Sequence, residues 1–211
     1  MKILMKNDSK EIFRRQYLCI CEGSQEEKYF EHLSHLLYNY PISAVTFKFG
    51  SIKKDITRQI RNIKYDKAVV FDHDGQPERF SKIVNACRSI NGKNKDKPVF
   101  AYSNLNFDLW LILHKIYYSS SICQNNCYIN HVRTFYNLQK YEDIKSEEVI
   151  GKILSQITLD NVKQAITNAK QIRSSKTGNI IKKLDNWCFY PEPDLHIHEF
   201  IEYILKDCGE L

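Results

Sequence analysis

Lys67-Ala-Val-Val-Phe-Asp-His-Asp-Gly75 is the stretch that decides the fold. Its apolar run has the length and composition of a buried strand, and Asp72-His73-Asp74-Gly75 closes it with turn residues. The same grammar recurs on both sides. Upstream, Tyr17-Leu-Cys-Ile-Cys21 is a second buried run, ended by Glu22-Gly23. Ser24 and Glu27 have capping-box spacing, and Phe30, Leu33, Leu36 and Leu37 repeat at helical spacing, so a helix is expected over 25–38. Val45, Phe47 and Phe49 alternate as in a strand. Ile52, Ile56, Ile60 and Ile63 then form the apolar stripe of a helix. Downstream, Pro77 opens a helix at its first turn, with Phe80, Ile83, Val84 and Cys87 on its buried face. Pro98–Tyr102 reads as a fourth strand, and Ser103-Asn104 as the cap of a helix carrying Phe107, Trp110, Leu111 and His114. Four strands alternating with helices predict an α/β fold, a parallel sheet sandwiched by helices. In open sheets of this kind ligands bind beyond the carboxyl ends of the strands.

Beyond residue 120 the strand signal fades. Ser146–Ile157, Leu159–Ile172 and Leu195–Leu205 read as helices, and Ser174–Gly178 and Tyr190–Asp194 as loops. The expected organisation is a core over 12–118 with a mainly helical extension over 119–211 packed on it.

With 43% hydrophobic and 27% charged residues, the 211-residue chain can bury a core, and 7 Gly with 5 Pro argue against long disordered linkers. No apolar run is long enough to span a bilayer, and the first residues contain no apolar h-region. Seven Cys is an odd number; Cys19 and Cys21, read as facing opposite sides of a strand, are not expected to pair. The pattern is that of reduced thiols in a cytoplasmic protein. A net charge of +6 permits a polyanionic partner without demanding one. Its distribution is more pointed: Lys48, Lys53, Lys54, Arg58, Arg61, Lys64 and Lys67 face only two acids in the same stretch. Lys53, Lys54, Arg58, Arg61 and Lys64 are the candidate nucleic-acid contacts, although a solvated amphipathic helix would carry the same charges.

Three carboxylates stand directly after buried strands: Glu22 after the first, Asp72 and Asp74 after the third. Two Asp at i and i+2 on a turn can each offer an oxygen to one hard cation, and Gly75 permits a sharp turn there. If the two strands are neighbours, Glu22 reaches the same crevice. Such a cluster could bind Mg²⁺ or Mn²⁺, orient a phosphodiester and activate water.

This arrangement resembles the Toprim fold, in which Glu-Gly follows the first strand and Asp-x-Asp the third, with a second acid often four residues after the Glu, where Glu26 stands. A closer resemblance is to the RloB-like family of Toprim-related defence proteins. Cys21-Glu-Gly-Ser-Gln-Glu-Glu-Lys-Tyr-Phe30 is similar to its opening CEG…TE…YF, Val70–Asp74 to its VFDxD, and Ser103-Asn-Leu-Asn-Phe-Asp-Leu-Trp-Leu-Ile-Leu-His114 to its SNPxFExWLLLH. The closing helix, His196–Leu205, is similar as well. Leu105 and Asp108 depart from the Pro and Glu of the third motif, and Tyr190-Pro-Glu-Pro-Asp194 stands where an NPxT is usual. The resemblance implies a metal-dependent nuclease in anti-phage defence, controlled by an AAA-type ATPase. Asp72 and Asp74 would hold the metal, Glu22 would hold metal or shuttle a proton, and Glu26 would assist. Oligomeric state is open, a homo-oligomer included.

Asp108, Asn104 and His114 are auxiliary candidates. Asp108 is equally readable as a first-turn acid favourable to the helix dipole, and His114 as a satisfied core histidine. Two rival functions remain: a non-catalytic regulatory subunit of an ATPase complex, and a haloacid-dehalogenase-like phosphatase, whose site Asp72–Gly75 resembles at its start. Cys123, Cys127 and His131 lack a fourth ligand for structural zinc.

Overall fold

The computed structural model describes residues 13–38, 43–60, 66–88, 100–120, 126–184 and 187–211. The strands β1 (Phe13–Cys21), β2 (Ser43–Ser51), β3 (Asp66–Asp72), β4 (Phe100–Asn104) and β7 (Asp194–Leu195) form one sheet in the order β2-β1-β3-β4-β7. The first four are parallel, as the alternation predicts, and β7 is antiparallel to β4.

Period-two alternation in β1 feeds two apolar layers. Tyr17, Cys19 and Cys21 pack with Phe30 and Leu33 of α1 (Ser24–Tyr38) and with Phe200 and Ile201 of α8 (Ile197–Asp207). Leu18 and Ile20 pack with Phe80 and Val84 of α3 (Pro77–Arg88). Burial on both faces explains the unbroken apolar runs of β1 and β3. It also corrects the placement of Cys19 and Cys21: residues two apart share one face of a strand. Both thiols are free and buried.

Local boundaries shift where tertiary pairing overrides local signals. Glu26, not Glu27, reaches back over the start of α1, accepting the Gly23 N–H at 3.0 Å. β4 runs on through Ser103 and Asn104, which pair with Leu195 and Asp194, so neither can cap the next helix. The cap position of α4 (Asp108–Leu113) falls to Phe107, which has no side-chain cap, and Asn106 Oδ1 accepts the Asp108 N–H at 3.1 Å just before the helix. α2 is described over Ile56–Ile60; the expected continuation, with Arg61, Ile63 and Lys64, lies outside the described residues.

The chain beyond residue 120 contributes α5 (Asn126–Phe135), α6 (Glu147–Leu154), α7 (Leu159–Ser174) and α8. It also holds two features that its sequence hid: an antiparallel hairpin of β5 (Lys182–Leu184) and β6 (Trp187–Phe189), and β7 itself. β7 carries Asp194, fully buried, whose Oδ1 pairs with Arg173 at 2.7 Å while Oδ2 accepts the Tyr190 N–H at 2.8 Å. Because Leu195 is spent on pairing with Ser103, α8 starts at Ile197, two residues later than expected. One apolar cluster joins Val70 and Ala101 of the sheet to Trp110, Tyr128, Ile153, Ile166 and Ile204 of the helices. No described helix is long and apolar enough to cross a membrane.

Candidate metal centre

The site is assembled at the carboxyl edge of the sheet. β1 ends at Cys21, so Glu22 leaves the edge first, and β3 ends on Asp72 in register with Ser103 of β4. The chain then turns tightly, with Asp74 at φ 50° and Gly75 at φ 66°. This left-handed pair is costly for most residues, tolerable for Asp and free for Gly. Two backbone bonds clamp the turn against the end of β4: His73 N–H to Ser103 O at 3.0 Å, and Asp74 N–H to Leu105 O at 2.9 Å. The result is that Glu22, Asp72 and Asp74 each present a carboxylate oxygen, all within 4.8 Å of one another. Glu22 Oε2 lies 3.4 Å from the Asp72 N–H that donates to it. Glu22 Oε1 pairs with the Arg79 guanidinium, which also lies 3.7 Å from Asp74 Oδ2.

A cleft of about 250 Å³ opens over this cluster, and Glu26 and Asp108 add two more carboxylates to its lining. Crowding and burial show in their proton affinities. Burial pushes Asp72 well above the carboxylate range, and Glu26, Asp74 and Glu22 push further, against a hydrogen bond from the Phe107 backbone. Burial and Glu22 raise Asp74, with Arg79 and Lys145 opposing. Burial raises Glu26 to about 7, with its own backbone N–H opposing and the Glu22 charge adding. Asp108 is raised to about 6 by burial, offset by Gln25, whose Nε2 donates at 3.2 Å, and by Lys145. Five carboxylates thus share one cleft in which burial and mutual repulsion disfavour their ionised forms. An all-oxygen donor set under such strain suits a hard divalent cation such as Mg²⁺ or Mn²⁺.

The fold gathers some of the candidate residues and disperses others. Glu22, Asp72 and Asp74 form the three-carboxylate cluster. Glu26, 5% exposed and engaged with Gly23, lines the cleft but does not join that cluster. Asp108 lines the cleft from the first turn of α4. Asn104 is buried and turned away from it, with Nδ2 donating to Tyr190 O at 3.1 Å and anchoring the loop before β7. His114 is a core residue: Nδ1 lies 2.8 Å from Trp110 O and Nε2 3.1 Å from the Tyr29 hydroxyl, and burial lowers it to about 3. Lys53, Lys54 and Arg58 are exposed after β2. The Ile52 N–H to Cys21 O bond ties that turn to the same edge, but none of the three lines the cleft. Arg61, Lys64 and Cys123 lie outside the described residues. His131 lies 3.2 Å from the Tyr118 hydroxyl through Nε2 and stacks on Phe135.

Three residues at the site escaped sequence reasoning: Gln25, Arg79 and Lys145. Arg79 had a readable signal, since a helix opened by Pro77 turns its first-turn side chains back toward the Asp pair. Lys145 had none, because it comes from the segment between α5 and α6.

An α/β protein with an all-oxygen carboxylate cluster at the carboxyl edge of a mostly parallel sheet is the class that fold and site define. A family model described as RloB-like protein matches residues 17–204, and the chain belongs to the RloB-like family. No curated protein and no solved structure gives a match.

Proposed function

We propose that this protein is a metal-dependent nuclease of Toprim type, which hydrolyses phosphodiester bonds of nucleic acid. The observation that carries the reading is the convergence of Glu22, Asp72 and Asp74 within 4.8 Å at the carboxyl edge of the sheet. These three would hold Mg²⁺ or Mn²⁺, which when bound supplies positive charge to offset the negative charge building on the phosphoryl oxygens. The rest falls to the chain itself. Glu26, buried in the wall of the cleft beside the three acids, is the carboxyl placed to take or return a proton. Asp108 and Gln25 stiffen the wall of the cleft beside it. Arg79 pairs with Glu22 and lies beside Asp74, limiting their mutual repulsion. Hydrolysis adds water across one P–O ester bond, leaving a phosphomonoester and a free hydroxyl. The RloB-like resemblance extends the proposal to an anti-phage role and to an AAA-type ATPase as partner.

The test is a cleavage assay on plasmid, single-stranded DNA and total tRNA with Mg²⁺, Mn²⁺ or EDTA. Cutting is expected only with metal. It should vanish in Glu22→Gln and in Asp72→Ala/Asp74→Ala while the circular dichroism spectrum stays unchanged. Full activity in Glu22→Gln would sink the assignment of that residue. Inertness of the wild type toward every substrate, both alone and with an AAA-type ATPase partner, would sink the nuclease reading.

A further inference from the structure

Lys145 is the one basic side chain lining the acidic cleft among the described residues. It stands on a braced piece of backbone. Its own N–H donates to Asp143 Oδ1 at 3.0 Å, the next N–H, of Ser146, donates to Asp143 O at 2.9 Å, and Ser146 then caps α6. On the other side Ile144 is buried in the core at 2% exposure. The backbone is therefore anchored on both sides of an exposed side chain. The side chain lines the same cleft as Glu26, Asp74 and Asp108. Even so, it forms no hydrogen bond or ion pair among the described residues, whereas Arg79 is committed to Glu22 and Asp74. A cation in the wall of a cleft lined by five carboxylates, yet bonded to none of them, is free to take a ligand. Once a divalent cation balances the acids, whatever lodges between it and the ammonium must be anionic.

We propose that Lys145 binds a non-bridging oxygen of the substrate phosphodiester, so that the segment between α5 and α6 supplies the phosphate-binding wall of the cleft. The identity of the anion rests on the nuclease reading; the placement of a lone cation in the cleft does not. Lysine suits this task as a compact point charge on a flexible stem.

The experiment is fluorescence anisotropy with labelled single-stranded DNA and RNA oligonucleotides in Ca²⁺ over a range of NaCl. It compares wild type, Lys145→Met and Lys145→Arg, with Ca²⁺ affinity measured in parallel by calorimetry. Lys145→Met is expected to bind oligonucleotide roughly tenfold more weakly, as for loss of a charged hydrogen bond. The slope of log affinity against log salt should fall by about 0.7, the value for one phosphate contact on a single strand. Lys145→Arg should keep most of both. Calcium binding by Lys145→Met should be equal or tighter, because a cation beside the acids is gone. If the wild type binds and Lys145→Met matches it in affinity and slope, the assignment of Lys145 is overturned while the nuclease reading stands. Weaker calcium binding in Lys145→Met would reveal a residue that merely holds the acids in place, and would overturn it too. Binding that depends on Lys145 without cutting by the wild type would uphold the phosphate contact and remove the catalytic reading. No binding of any oligonucleotide by the wild type would overturn both.

Discussion

Glu26→Gln should make the metal-free protein more stable at alkaline pH. The side chain is 5% exposed, and burial lifts its carboxyl from the ordinary 4.5 to about 7. At about 1.4 kcal/mol per pH unit, ionised Glu26 costs the fold roughly 3 kcal/mol above pH 7. The sign follows from linkage: the folded state holds this proton more tightly than the unfolded chain. The associated stability is therefore complete below about pH 4.5 and is lost as the pH climbs through 7. Gln keeps the shape and an oxygen to accept the Gly23 N–H, but has no proton to lose. Urea denaturation in EDTA, at a series of pH values from about 5 to about 8, isolates the effect as the difference between variant and wild type. That difference should be small at the acid end and should favour the variant by roughly 3 kcal/mol at the alkaline end. Saturating Mg²⁺ should narrow it, because a bound cation offsets the same repulsion. A difference that does not change with pH, or a variant less stable than wild type at pH 8, would refute the reasoning.

Three further outcomes follow from the same geometry. Magnesium at about a hundred times its Kd should stabilise the wild type by about 2.7 kcal/mol, and in Asp72→Asn a thermal-shift measurement should show most of that gain gone. His114→Ala should cost about 2–4 kcal/mol by chemical denaturation, from lost ring packing and two lost hydrogen bonds, without altering the magnesium-induced shift. Because burial lowers His114 to about 3, its neutral ring stabilises the fold above about pH 6.5 and does so less as the pH falls toward 3; the variant's acid limb should be correspondingly flatter. Asp194→Ala should cost roughly 3 kcal/mol, read by the same denaturation. It strands the Arg173 guanidinium and frees the Tyr190 N–H, loosening the junction that carries β7.

The sequence by itself determined the parallel part of the sheet and the placement of the three acids. Both are local facts. A buried strand shows as an unbroken apolar run, and the residue that ends it marks its carboxyl end, so Glu22, Asp72 and Asp74 read as strand-end acids; that β1 and β3 are neighbours, which brings Glu22 to the Asp pair, is a tertiary fact. The tertiary structure decided what depends on distant partners. Asp194-Leu195 is too short to declare itself a strand and becomes one because Ser103 and Asn104 offer it an open edge. That same pairing takes away the helix cap that Ser103-Asn104 offers in the sequence. Glu26 and Glu22 look alike in the sequence, yet one lies buried against Gly23 while the other emerges into the three-carboxylate cluster. His114 stands in the most distinctive motif of the chain, but the packing of Tyr29 and Trp110 around it makes it a core residue. Lys145 is the clearest case. Nothing near it in sequence marks a site, and only the return of the segment between α5 and α6 to the sheet edge sets its charge in the cleft, because a long-range contact leaves no trace in local periodicity.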